Sequence, residues 1–446
     1  MDVCKRSRWL GLLIVTIGIA LAPERAVAAA GAGERTEPPS PGAVFVPTAD
    51  MDLPTLMDAV RERAPVLQEE HLAVELSAAD LRQSRLFDNP VLDGAVATIP
   101  VGTPNPPDLA SPLSNIPNYT VGLSLHPELA LRGPRIRQAA ASLHAAELQR
   151  RYAIRSQALR LLRALGDMAG ATLRLGADQH LVTQARGALA VARERVRTGF
   201  GPPLDGDRAE IELMRLEQQV AADQADLLAG QATCAEQIGA RCGSFPDEAE
   251  ARRFLNVWLA RGEPAPADVA TRGDLQALAA RREAAVAEER LATAQSIPDP
   301  TLRVGYTYDS FVISGNQRNS FSVSLSFPLP LFDHGQVAAM AARARQHRLE
   351  QQRRLAQAGA EARLFTLRQA LLVGRQRLST LQQQVLPRVQ AILRNVGRAF
   401  EARAVPLTDV IQAQRGLGEL LLQEAAIMED TFRLTVDLLA ESPGHE

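Results

Sequence analysis

Aromatic side chains are scarce in this sequence: 18 of 446 residues, or 4%, against 46% hydrophobic residues overall. Compact globular cores draw much of their burial from Phe, Tyr and Trp, so the shortage points to long Ala/Leu/Gln/Arg helices packed side by side. Lysine occurs once, at Lys5, beside 48 arginines, and 49 basic against 51 acidic residues leave a net charge of -2. That balance excludes a dedicated nucleic-acid binder, whose affinity needs a concentrated basic surface. The apolar fraction excludes wholesale disorder. No stretch beyond the N-terminus approaches 18 uninterrupted apolar residues, which excludes a bundle of membrane-spanning helices. Enzyme signatures are also missing: there is no GxSxG, P-loop or GxGxxG. The seven histidines (71, 126, 144, 180, 334, 347 and 445) form no HxH, HExxH or His-rich tract. No catalytic residue, cofactor site or resident metal site is therefore expected.

Lys5, Arg6 and Arg8 precede an apolar run from Leu10 to Ala22, and Ala26-Val27-Ala28 follows with a small-x-small pattern. Residues 1–28 read as a cleaved signal peptide, too short to anchor comfortably in a bilayer, and 29–50 as a flexible N-terminal segment. Cys4 leaves with the signal, and no cysteine stands just after the apolar run, so no lipid attachment is expected. Cys234 and Cys242 remain, eight apart in TCAEQIGARCG. A disulfide closing a turn at a helix end and a pair of free buried thiols are both open; no histidine or third cysteine lies near enough in sequence to favour a metal.

An internal repeat organises the rest. YTVGLSLHPELALRG, Tyr119 to Gly133, recurs as FSVSLSFPLPLFDHG, Phe321 to Gly335, at an offset of 202. Upstream, DNPVLDGAVA (88 to 97) is matched by PDPTLRVGYT (298 to 307). Downstream, GFGPPLDGD (199 to 207) is matched by RAVPLTDV (403 to 410). The chain divides into a first repeat over 51–240, a linker over 241–272, a second repeat over 273–440 and a tail, 441–446. Each repeat holds two segments that alternate apolar and polar residues at period 2, near 91–99 and 119–125 and again at 301–309 and 320–327. These read as strands with one apolar face, about the length of a tilted transmembrane strand. The Pro/Asn/Ser-rich connection 103 to 118 reads as an exposed loop.

Long Pro-free stretches follow each second strand. Between Pro134 and Pro202 lie 67 residues, enough for roughly 100 Å of helix. In the second repeat, Leu364, Leu367, Leu371, Gly374, Leu378, Leu381 and Val385 step by alternating threes and fours, a seam for a partner helix, before a kink expected at Pro387. A short turn leads into a returning helix in each copy, so helical hairpins are expected over 133–240 and 335–440. Four strands with an apolar face cannot stand alone in a bilayer, because an open sheet leaves edge N–H and C=O groups unpaired. Closure needs about eight strands or more, which several copies of this chain would have to pool.

The order NP-x-L, a strand ending in LSLHPELALRG or LSFPLPLFDHG, a long Arg/Ala/Gln helix and a Gly/Pro tip resembles the TolC-like outer-membrane efflux channel family over about residues 50 to 440. PLPLFDHG, IPDPTLRVGY and ELALRGPRIR are most similar to its heavy-metal, CzcC-like branch. The resemblance implies a mainly α fold with a small β part: an internally duplicated protomer of a trimeric α-helical barrel joined to a twelve-stranded transmembrane β-barrel, four strands per chain. It implies a homotrimer in the outer membrane of a Gram-negative bacterium, contacting outer-membrane lipid and no nucleic acid, engaged by a periplasmic adaptor and an inner-membrane pump of the resistance-nodulation-division (RND) type. The expected activity is the outward passage of solute, heavy-metal cations first, with drug efflux or type I secretion as alternatives.

By the same likeness, Gly199, Phe200, Gly201, Pro202, Pro203, Asp205 and Asp207, with Arg403, Ala404, Val405, Pro406, Thr408 and Asp409, form the periplasmic tips that contact the adaptor and constrict the closed state. Arg403 stands where relatives usually carry Gly, and Thr408 is the expected N-cap of the returning helix. Asp205, Asp207 and Asp409, multiplied by three, would ring a cation-selective constriction; the plainer reading is helix-start carboxylates favoured by the dipole. Gly133 and Gly335 mark the strand-to-helix neck, where a positive φ or close backbone approach is expected. Arg132, Arg135 and Arg137 read either as headgroup or lumen contacts or as a solvated helix face. A periplasmic coiled-coil scaffold would account for the helices but not for the strands. A diffusion porin would account for strands but not for two hairpins.

Overall fold

The structure, a computed structural model, describes residues 44–99, 101, 117–261, 268–310, 317–402 and 404–443. The expected signal peptide, the 103 to 116 part of the first strand connection, Arg403 and the last three residues lie outside the described residues. Helices α1 (Leu53–Arg63) and α2 (Val66–Arg85) lead into strands β1 (Val91–Ala97) and β2 (Asn118–Leu125). Helix α3 (Arg132–Arg197) turns into α4 (Pro203–Ile238), and α5 (Glu248–Ala260) and α6 (Gly273–Ala294) lead to β3 (Thr301–Asp309) and β4 (Asn319–Ser326). Then come α7 (Gln336–Thr380), a π turn (Leu381–Val385), α8 (Leu386–Glu401) and α9 (Leu407–Glu441). Among the described residues no helix is long and apolar enough to cross a membrane.

The four strands form one antiparallel sheet in chain order, β1-β2-β3-β4. Strands β2 and β3 come from different repeats and pair from Asn118 with Asp309 to Leu125 with Leu302. The sheet therefore joins the two copies edge to edge.

Helix α3 runs 66 residues, about 100 Å at 1.5 Å per residue, because no proline interrupts it after Pro134. It packs against α2, α4, α6 and α9, while α7 packs against α6 and α9. In the second hairpin the π turn lies immediately before Pro387, which sits in the first turn of α8. Proline has no N–H to donate and would crowd the carbonyl four residues earlier, so the helix takes one wide turn there. The heptad seam is used as its spacing implies: Leu364 and Leu371 are buried with Leu438 of α9, and Leu367 and Leu434 pack beside them.

The principal core sits midway along α3, where Leu161, Leu162, Leu165 and Met168 meet Leu56 of α1, Phe254 and Trp258 of α5 and Met428 and Phe432 of α9. Its rings touch in series, Phe245 to Phe254 at 5.1 Å and Phe254 to Phe432 at 5.7 Å between centroids. Gly166 lets α9 approach, since a Cβ there would lie 2.0 Å from Phe432 Cε1. Within the stretch expected to be a linker, α5 buries Ala251, Phe254, Leu255 and Trp258, spaced i, i+3, i+4 and i+7 on one helix face. Its start is fixed by Asp247, which accepts the Glu250 N–H at 2.8 Å.

Buried carboxylates on α9 bind it to its neighbours: Glu424 accepts from Arg252 of α5 at 2.8 Å, and Glu429 from Arg174 of α3 at 2.5 Å. Cys234, near the end of α4, is disulfide-bonded to Cys242, with Cα atoms 5.9 Å apart. Truncating the ring that closes this core, Phe432→Ala, is expected to cost about 3–5 kcal/mol. The measurement is the drop in apparent melting temperature, with the exposed Phe365→Ala as an unaffected control.

Candidate functional site

The sheet has two chemically opposite faces. On one, the paired rows run Leu92-Leu123-Val304-Val323, Gly94-Val121-Tyr306-Phe321 and Leu125-Leu302-Leu325, and the side chains of these rows are exposed. On the other, Ala95-Thr120-Thr307-Ser320 and Asp93-Gly122-Gly305-Ser322 form polar or small rows. The Thr120 and Thr307 hydroxyls are 3.1 Å apart. Arg303 reaches from β3 across β2 to Asp93 on β1, its Nε donating to Oδ1 at 3.1 Å and Nη2 to Oδ2. Gly122 lies beneath that guanidinium, and a Cβ there would be 2.5 Å from Nη2. Asp93 and Arg303 occupy the same place in the two repeat copies. This face suits water and ions; the other suits hydrocarbon.

At the neck, Asp299 is buried and its carboxylate accepts the Ala130 N–H at 2.7 Å and the Leu131 N–H at 3.4 Å, so the second repeat fixes the entry of α3. Gly335 has φ +81°, and a Cβ there would lie 2.0 Å from the Ala292 carbonyl oxygen; only glycine fits. The reading of Gly133 is corrected. It lies inside the first turn of α3 with negative φ, and a Cβ would meet nothing nearer than Arg137 Nη1 at 3.7 Å. Arg137 is exposed, whereas Arg132 and Arg135 turn to the backbone at the end of α2. Arg132 donates to the Arg85 carbonyl at 2.8 Å, and Arg135 to the Ser84 and Leu86 carbonyls at 3.3 and 3.1 Å. They satisfy the orphan carbonyls at the end of α2; the Gly/Pro context that singled them out marked a helix start but not its neighbour.

The two tips are built alike. Helix α3 ends with Gly199 at φ +73°, the Phe200 N–H donating to the Arg195 carbonyl at 2.8 Å and the Gly201 N–H at 3.1 Å, a left-handed helix stop. Pro202, in extended backbone, precedes α4, which starts at Pro203. Phe200 is exposed. At the second tip the Ala404 N–H bonds the Ala399 carbonyl at 2.8 Å, and Pro406, also extended, precedes α9. Thr408 is therefore not the N-cap. The helix begins at Leu407, because that residue is buried against Phe400, Val410 and Ile411, and Thr408 falls inside the first turn. Asp205 and Asp409 lie in the first turns of α4 and α9, where the helix dipole favours a carboxylate.

Sequence reasoning missed what joins the two hairpins. Near the tips, Leu189 and Ala192 of α3 and Ala209 of α4 share one cluster with Phe400 of α8 and Leu407, Val410 and Ile411 of α9. One layer further from the tips, Glu212 of α4 is buried and accepts from Arg215 at 3.0 Å and from Arg415 of α9. Burial opposes ionisation of Glu212, but the Arg415 and Arg215 hydrogen bonds outweigh it and hold the carboxyl down at about 2. A depressed carboxyl stabilises the fold fully above its unfolded value near 4.5 and ceases to do so as pH falls through about 2. No group of three or more His, Cys, Asp or Glu arranged to hold a metal ion exists among the described residues.

Replacing Glu212 by Gln keeps its shape and removes the charge that both arginines answer. Chymotrypsin cleavage after the buried Phe400 is expected to quicken several-fold, while cleavage after the exposed Phe200 stays unchanged. Limited proteolysis at neutral pH reads both sites in one digest.

Residues 269–430 match the family model for outer membrane efflux proteins. The cobalt-zinc-cadmium resistance protein CzcC of Cupriavidus metallidurans is 27% identical over 258 residues, which are 56% of this chain and 58% of that protein; the chain thus spans little more than half the length of that relative. Among solved structures, CusC superposes with a TM-score of 0.70 at 16% identity, covering 90% of this chain and 94% of its own. The outer membrane protein VceC of Vibrio cholerae gives 0.66 at 17%, covering 88% and 96%. The open state of the Neisseria gonorrhoeae MtrE outer membrane channel gives 0.68 at 17%, covering 88% and 89%. The sequence likeness covers the second repeat, and the likeness in fold covers nearly the whole chain.

Proposed function

We propose that this chain is the outer-membrane channel component of a tripartite efflux pump of the RND type, and that it conducts solute from the periplasm to the outside. The observation that carries the proposal is the sheet turned inside out: apolar rows exposed on one face, a hydroxyl and Asp93–Arg303 lining on the other. A sheet with free edges is excluded from hydrocarbon. Three copies pooling their strands make a closed twelve-stranded barrel whose polar face lines a pore. The long hairpins then extend the conduit into the periplasm. The turns Gly199 to Pro203 and Arg403 to Pro406 meet the adaptor, with Asp205, Asp207, Thr408 and Asp409 behind them at the constriction. A cleaved signal peptide directs export, and retention rests on the barrel without a lipid anchor. The reaction is passage, without catalysis.

The likeness to a cobalt-zinc-cadmium resistance protein supports divalent heavy-metal cations as the solute. Deletion of the gene is expected to sensitise cells to such cations; sensitivity confined to dyes and antibiotics would move the chain to drug efflux. Crosslinking in outer-membrane fractions is expected to give a trimer, and a soluble monomer would remove the channel reading altogether.

The barrel geometry has its own test. Leu123→Arg places a charge on the apolar face, at a cost of about 2–4 kcal/mol near the bilayer midplane, and is expected to abolish outer-membrane assembly. Ser320→Arg, on the polar face, is expected to assemble normally and to alter only conductance. The readout is the heat-resistant oligomer on a gel.

A further inference from the structure

Six carboxylates are buried among the described residues, and four of them are answered. Glu212 has Arg215 and Arg415, Glu424 has Arg252 and Gln382, Glu429 has Arg174 and Arg433, and Asp299 has two backbone N–H groups. The remaining two are Asp178 of α3 and Asp223 of α4, 1% and 2% exposed. Neither oxygen of Asp178, nor Oδ2 of Asp223, has a donor. Asp223 Oδ1 takes a single long bond from Gln219 Nε2 at 3.4 Å.

We propose that Asp178 and Asp223 form a buried proton-binding site that clamps α3 to α4 when occupied and loosens the hairpin when empty. A buried carboxylate without donors is costly, and two side by side add mutual repulsion. One shared proton converts one acid into an O–H donor to the other, which removes the repulsion and gives two of the three orphan oxygens a partner. Burial first, then the neighbouring Asp223 carboxylate, pushes Asp178 up to about 7. Asp178 then titrates near neutrality instead of near pH 4.

The surrounding charges do not replace the proton. On α3, Arg174 is committed to Glu429 at 2.5 Å and lies 3.8 Å from Asp226 of α4, and His180 is exposed. On α4, Arg215 draws the Asp178 carboxyl down somewhat but bonds Glu212. On α9, Arg415 also bonds Glu212, and Glu419 lines a cavity of about 160 Å³ beside Asp178, adding like charge. Tipward of the pair, Leu181, Val182 and Ala185 of α3 pack on Leu216 of α4. Gly418 of α9 lies so close to Leu181 that a Cβ would approach Cδ1 to 2.6 Å. A change in α3–α4 spacing at Asp178 is therefore transmitted to the packing between the two hairpins. The sign follows from linkage: a carboxyl raised in the folded state binds protons that the unfolded chain releases, so the clamp weakens as pH rises from about 4 to about 7 and stays weak above.

Hydrogen exchange of the purified full-length protein, corrected for the intrinsic pH dependence of amide exchange, tests the proposal. Peptides around residues 178 and 223 are expected to lose about tenfold protection between about pH 6 and pH 8.5, while peptides from α1 and α2 do not. Asp178→Asn, shaped like the neutral acid, is expected to stay protected throughout. Infrared titration of the unmodified protein gives a reading that needs no variant: a neutral carboxylic-acid carbonyl band that disappears close to neutrality. Protection independent of pH, absence of that band, or an unchanged midpoint in Asp178→Asn overturns the proposal. So does restoration of protection at the upper pH by millimolar Mg²⁺ or Zn²⁺, which would make the occupant a metal cation.

Discussion

The constraint on which everything else depends is that this sheet faces the wrong way for water. Its leucines, valines and rings point out, and its serines, threonines and the Asp93–Arg303 pair point in. The chain's own helices do not cover the apolar face, whose side chains stand exposed. Four strands are too few to close. The channel proposed above would place hydrocarbon outside, water inside and further copies at the free edges of β1 and β4. The internal duplication meets the same demand. Because β2 and β3 come from different repeats and pair along their whole length, two hairpins per chain become one continuous arc, and the two helical hairpins hang from it side by side.

The shortage of aromatic residues then divides between two places that need rings for different reasons. One set lies on the exposed apolar face of the strands, where Tyr306 and Phe321 pack at 5.4 Å. The other is the Phe245, Phe254, Trp258 and Phe432 group midway along α3, where α1, α5 and α9 converge. Elsewhere the helices pack mainly through alanine, leucine and glycine, with Phe400 the ring buried near the tips.

Periodicity made the strands and hairpins legible to within a residue or two, since alternation and Pro-free length are local properties of the chain. The repeat made the tips and the neck legible. Positions whose meaning lies in a distant partner were not. The start of α9 is set by burial of Leu407, not by the hydroxyl of Thr408. Gly133 resembles Gly335 in sequence, yet only Gly335 abuts a carbonyl from another helix. Arg132 and Arg135 serve carbonyls about fifty residues earlier in the chain. Helix α5 was the one element readable from its own residues: Asp247 followed by apolar positions 251, 254, 255 and 258 is a helix start and stripe, hidden only because it stands outside both repeats.

The near-exclusive use of arginine fits this division of labour. A guanidinium keeps its charge when desolvated and spans two acceptors at once, so a single arginine can bridge elements: Arg303 crosses a strand, Arg252 ties α5 to α9, and Arg415 ties the second hairpin to Glu212 of the first. Lysine, with a point charge that burial readily neutralises, would serve these places poorly. The same strategy isolates its exception. Among the described residues every other buried carboxylate is supplied by a guanidinium or by backbone N–H, so the proposed Asp178 and Asp223 site is the buried joint whose charge balance rests on solvent pH. It sits on the hairpin between the core and the tips, where a small change in helix spacing has the longest lever.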